Sequence, residues 1–170
     1  MTSFRNPIIC IVTFLLLACS CQSKKADSIP QLLKQLDKDG MVLERIERKY
    51  PDNIEANFHW CDSMLQFIPQ DQIGDCFDVL NLAQAYLGQF NEMLPIMKHD
   101  LAYIKTQLGN LQNDIDTHYI SDSLAAVYLQ DEIASADTLH NRIEYFEDRL
   151  SHQDKELKSL RKTISKAASK

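Results

Sequence analysis

The side chains best suited to specific chemistry in this 170-residue chain are five cysteines and five histidines, and their spacing narrows what that chemistry can be. Helix-borne metal ligands must share a face, which means a separation of three or four residues. His99 and Asp100 are adjacent, so their side chains diverge by about 100°. His59 and Cys61 are two apart and fail the same condition. No Cys-x-x-Cys, haem-attachment, His-Glu-x-x-His or glycine-rich phosphate motif occurs. His59, His99, His140 and His152 are therefore read as face or core residues and His118 as a turn residue. The sequence offers no catalytic residue, no metal site and no cofactor, and it predicts a protein that is not an enzyme. What remains is thiol chemistry, at Cys19 or Cys21 near the N-terminus and at Cys61 with Cys76.

The N-terminus has the order of a processing signal. A short polar start carrying Arg5 leads into the apolar run Ile8 to Leu17 and then into Ala18-Cys19-Ser20-Cys21. That run is too short to span a bilayer, which takes about 20 apolar residues, but it suits a secretory signal. Leu16-Leu17-Ala18-Cys19 resembles the lipobox of bacterial lipoproteins. The resemblance implies cleavage before Cys19, acylation of its thiol and attachment to one leaflet. Cys21, with Ala18 three places and Ser20 one place before it, is the alternative acceptor. A triacylated cysteine holds firmly, since each buried methylene contributes about 0.8 kcal/mol. Neither Ser20 nor Gln22 is acidic, which under lipoprotein sorting rules implies an outer-membrane anchor facing the periplasm. With Met97-Lys98-His99-Asp100 opening a long amphipathic stretch, the chain also resembles small helical lipoproteins of Bacteroidota-like envelopes. On this reading residues 1–18 are signal and 19–28 are a polar tether.

A compartment beyond such a signal is oxidising, so Cys61 and Cys76, each on an apolar helix face, are candidates for a disulfide. Closing a loop of about 15 residues stabilises by about 3 kcal/mol in the chain-entropy model. Two packed thiols are the alternative, because cysteine is often simply buried.

Composition excludes a nucleic-acid partner. The chain carries 24 acidic against 18 basic residues, a formal charge of −6, whereas affinity for phosphate backbones rests on clustered cations. The one basic run, Lys155 to Lys170, lies where cations complement a helix C-terminus.

The elements that must position these groups are helices. Glycine (4) and proline (5) are scarce, and no sustained period-2 pattern occurs. Residues 29–69 predict a helical pair: one helix from about Pro30 to Tyr50, a stop at Pro51, and a second helix carrying Ile54, Phe58, Cys61, Leu65 and Ile68 on one face. Asp52 or Asn53 is expected to cap the second. From Ile73 onward a single heptad frame reaches the C-terminus. Its two core positions take 28 places, of which 24 are apolar against 45% for the whole chain, so the seam is specified rather than accidental. His118, Asp122, Glu132 and Gln153 are the exceptions.

Three of those exceptions cluster near the midpoint of the frame. A turn at about Thr117 to Asp122, with Ser121 as cap and Ile120 stapled against Ala125, would give two arms of about 70 Å. The expectation is therefore an all-α fold over residues 70–170 built as a long antiparallel coiled-coil hairpin, with the two short N-terminal helices packed at its base near Ile73. One continuous oligomeric rod is the alternative. Tyr50, Phe58, Trp60, Phe67 and Phe77 are expected to fill the base. Pro95 is expected to kink the first arm or start a new helix. Ala125 to Leu129, apolar all round, is expected to be covered on two faces. Tyr119, Ile120 and Tyr128 then mark an interaction tip, since exposed tyrosines often anchor partners.

These readings converge on a lipid-anchored envelope protein with a non-enzymatic scaffold, spacer or protein-interaction role. Its partners would be the membrane, through the anchor, and a protein, with a homo-oligomer as one option. A small-ligand or metal-binding envelope sensor is the contrasting reading.

Overall fold

A computed structural model of the chain describes residues 28–69, 74 and 76–168. Cys19, Cys21 and Ile73 lie outside the described residues. Among the described residues four helices follow in order: α1 (Ser28–Lys49), α2 (Pro51–Leu65), α3 (Cys76–Asp116) and α4 (Asp122–Ala167). Among the described residues there is no strand, and no helix is long and apolar enough to cross a membrane.

The all-α hairpin is present. α3 and α4 pack along their lengths, and the heptad positions form the seam. Leu80, Ala83, Phe90, Met97, Ile104, Leu108 and Leu111 are buried on α3, and Ala125, Leu129, Ala136, Leu139, Ile143, Phe146, Leu150, Leu157, Leu160 and Ile164 on α4. Phe90 and Phe146 meet edge to face with ring centroids 5.6 Å apart, the arrangement aromatic quadrupoles favour. The continuous rod is thereby replaced by a chain that buries its own stripe. At 1.5 Å per residue α4 is about 70 Å long.

The N-terminal pair packs on this hairpin and reaches well beyond its base. α1 runs antiparallel to α3 and parallel to α4. Lys98 pairs with Glu47 at 2.8 Å and Lys105 with Asp37 at 2.6 Å, while Arg45 pairs with Glu147. α2 continues towards the base, where the Cys61 thiol donates to the Leu157 carbonyl at 3.9 Å. The result is a three-legged bundle, α1–α2 up, α3 down and α4 up. The physical reason is length. Ile29, Leu36, Leu43 and Ile46 are all buried and span most of α1, and so long a stripe cannot be covered at one end of a hairpin. Gly40 sits inside α1 without breaking it; a Cβ there would lie 3.1 Å from Leu101 Cδ2, so the missing side chain lets α1 approach α3.

Pro51 bends the first leg rather than ending it. The amide of Tyr50 donates to Ile46 and that of Ile54 to Tyr50, so helical bonding passes across the junction. No side chain caps α2; Asn53 instead donates to the Lys49 carbonyl at the end of α1. α3 continues through Pro95, which neither starts a new helix nor ends one. The base holds buried Tyr50 with half-buried Phe58 and Trp60, whereas Phe67 and Phe77 are exposed.

Candidate functional site

Two places concentrate groups with chemical potential: the hairpin turn and a polar cluster inside the bundle. The turn is built by a complete set of end-of-helix hydrogen bonds. His118 takes φ 56°, its amide donates to Ile115 at 3.1 Å, and the Tyr119 amide donates to Asp114 at 2.9 Å. This is the Schellman pattern, with histidine where glycine usually stands. Ser121 then takes extended backbone and its hydroxyl accepts from the Leu124 amide at 3.4 Å, opening α4 with Asp122 in its first turn, where a carboxylate suits the dipole. The sequence-derived turn and cap are thus where they were expected.

The expected tip residues divide by exposure. Tyr119 is 82% and Tyr128 46% exposed, while Ile120 is half-buried against the core. Ala125 to Leu129 has one covered face rather than two: Ala125 and Leu129 are buried, and Val127 and Tyr128 face outward. Tyr103 and Tyr145 are also exposed. Beside Tyr128 a shallow groove between α3 and α4 is lined by Gln107, Asn110, Asp114, Asp131 and Glu132. Glu132, a polar occupant of the seam, is raised above the ordinary carboxylate range by burial first and by Asp131 second.

The internal cluster joins α1 to α4. Asp39, its side chain 4% exposed, receives His140 Nδ1 at 2.8 Å and the Gln35 amide at 3.1 Å on Oδ1. Its Oδ2 is buried without a hydrogen-bond partner. His140 Nε2 lies 3.3 Å from Glu144 Oε1. Both imidazole nitrogens therefore face carboxylate oxygens, and both can donate only in the imidazolium form. The hydrogen bond to Asp39 is the main cause that lifts the His140 pKa, opposed by burial and aided by the charges of Asp39, Glu144 and Asp137. The arrangement can hold a proton and pin α1 in register with α4. Among the described residues no three His, Cys, Asp or Glu side chains converge on a point that would hold an ion. Sequence reasoning missed Asp39. The signal was there, because Leu32, Leu36, Asp39, Leu43 and Ile46 follow spacings of four, three, four and three, which puts the carboxylate in line with the buried stripe.

Cys61 and Cys76 are thiols, and no disulfide joins them. Burial raises the Cys61 pKa to about 11, with Arg161 lowering it and Cys76 raising it. Such a thiol stays protonated at neutral pH and is a poor nucleophile. Near it Arg161 donates to Asn57 at 3.1 Å and stacks over Trp60 at 4.7 Å, tying α4 to α2. His59, His99 and His118 are on the surface, and His152 is exposed on α4. Comparison with protein-family models, with curated proteins and with solved structures finds no match to this chain.

Proposed function

We propose that the protein is a lipid-anchored spacer or scaffold of the bacterial cell envelope, held by an acylated Cys19 and working through protein contacts rather than catalysis. One observation carries the reading: the heptad seam is closed within a single chain, giving a bundle about 70 Å long whose outer faces are left for other partners. A stripe satisfied internally needs no second copy, so the monomer is the working unit. The Leu16-Leu17-Ala18-Cys19 motif supplies the tether. Glycines and prolines are few enough for the described helices to act as a stiff strut rather than a flexible linker.

The test is expression of the full chain in a bacterium, followed by detergent-phase partitioning and mass measurement of the mature protein. The expected result is a detergent-phase protein beginning at Cys19 with acyl mass on that residue, lost in Cys19→Ser and kept in Cys21→Ser. A water-phase mature protein without acyl mass refutes the anchor. Sedimentation of the detergent-solubilised protein should then give an elongated monomer; an obligate dimer or trimer refutes the single-chain strut.

A further inference from the structure

The two ends of the bundle differ, and where α1 begins decides which end a tether would hold. The pairs Asp39–His140 and Asp37–Lys105 fix α1 parallel to α4 and antiparallel to α3. Counting back along α1 from those pairs puts Ser28 level with roughly Leu129 and Asp114, about 10 Å along the axis from the Thr117–Ser121 turn. Cys19 precedes Ser28 by nine residues, which span at most about 30 Å when fully extended. An acyl group on Cys19 therefore keeps the turn end within reach of the bilayer. The opposite end, with Trp60 and Arg161, lies about 60 Å away along the bundle.

The surface of the turn end suits that position. Tyr119 is 82%, Val127 55% and Leu124 39% exposed, and Leu124 and Val127 are three apart on one face of α4. Tyrosine with neighbouring aliphatic side chains is the composition that settles at a membrane–water interface. Charge selects the kind of bilayer. No lysine or arginine occurs between Lys105 and Arg142, while Asp114, Asp116 and Asp122 ring the turn. These carboxylates repel anionic headgroups, against which the tether sets only Lys24 and Lys25; neutral zwitterionic headgroups meet no such repulsion.

We infer that the turn is the membrane-facing end of the bundle, with Tyr119, Leu124 and Val127 resting in the headgroup layer of an uncharged bilayer surface. The inference rests on acylation of Cys19 and adds to it an orientation: α4 points its C-terminus away from the membrane. The bundle then presents its Trp60 end at about 60 Å, as a strut standing on its turn.

The chain supplies its own control, because its single tryptophan, Trp60, lies at the far end. Full-length acylated protein, wild type and Tyr119→Trp, is reconstituted into phosphatidylcholine vesicles containing lipid brominated near the headgroup end of the acyl chain. Tyr119 is exposed enough for the substitution to leave the helices intact, which far-ultraviolet circular dichroism checks. The expected result is unquenched wild-type emission and about twofold quenching of the added indole, weakened when anionic lipid replaces part of the phosphatidylcholine. Quenching of Trp60 instead, or of neither indole in protein that floats with the vesicles, overturns the orientation and leaves the anchor standing. An added indole protected only by a basic protein partner, and not by lipid, overturns it in favour of protein docking. Failure of the wild-type chain to float overturns the anchor and this inference together.

Discussion

Replacing His140 by leucine should destabilise the bundle through Asp39, not through lost apolar packing. The Asp39 side chain is 4% exposed and would keep only the Gln35 amide at 3.1 Å, with Oδ2 already lacking a donor. Removing one partner of a buried ion pair costs about 3–5 kcal/mol when the remaining charge is fully enclosed. The His140 side chain is 35% exposed, so water can enter the space it leaves, and about 2–3 kcal/mol is the better figure. For a domain of this size that corresponds to a Tm lower by about 5–10 °C. The double variant Asp39→Leu with His140→Leu should recover most of the loss, because it leaves no orphan charge.

The pH profile gives a second readout on the same pair. His140 is held above its ordinary pKa in the folded state. Its contribution is therefore complete below the unfolded value of about 6.5 and is lost as pH rises through the folded value. Wild type should lose stability relative to His140→Leu as pH climbs from about 6 towards 9. Urea unfolding followed by circular dichroism across that range, for both single variants and the double, measures all of this. A coupling energy below about 0.5 kcal/mol in the cycle, or parallel pH profiles for wild type and His140→Leu, would refute the reasoning.

Three further outcomes follow from named contacts. His118→Gly relieves a left-handed backbone at φ 56° and should stabilise by up to about 1 kcal/mol, the steric gain partly offset by a looser unfolded chain, while His118→Val should destabilise; thermal melts separate them. Phe90→Ala, emptying a fully buried site against Phe146, should cost about 3–5 kcal/mol in urea unfolding without changing the helical fold. Cys61, with its pKa pushed up to about 11, should resist a maleimide or iodoacetamide in the native state near pH 8 and react on unfolding, and mass spectrometry without reductant should find the protein two hydrogens heavier than a Cys61–Cys76 disulfide would make it.

Much of this molecule was legible in its sequence because helical periodicity is a local property. The heptad frame from Leu80 to Ile164 names the buried face of both arms directly, since a seam repeating every 3.5 residues has no other way to stay dry. The turn was legible too, through His118 and Asp122 breaking the frame and Ser121 offering a cap.

What only the tertiary structure decided is which helix covers which face. Spacing shows that Leu36, Leu43 and Ile46 must be buried, but not that α1 lies along the hairpin, with Asp39 opposite His140 about 100 residues later in the chain. Pairing across that distance is set by the sum of many weak contacts, among them a glycine-sized gap at Leu101 and ion pairs at Lys98 and Lys105. The same holds for Ala125 to Leu129, whose apolar composition predicts two covered faces, whereas the packing of the three legs leaves Val127 and Tyr128 in the open. Helix faces follow from the residues within a turn or two; their neighbours depend on the whole chain closing on itself.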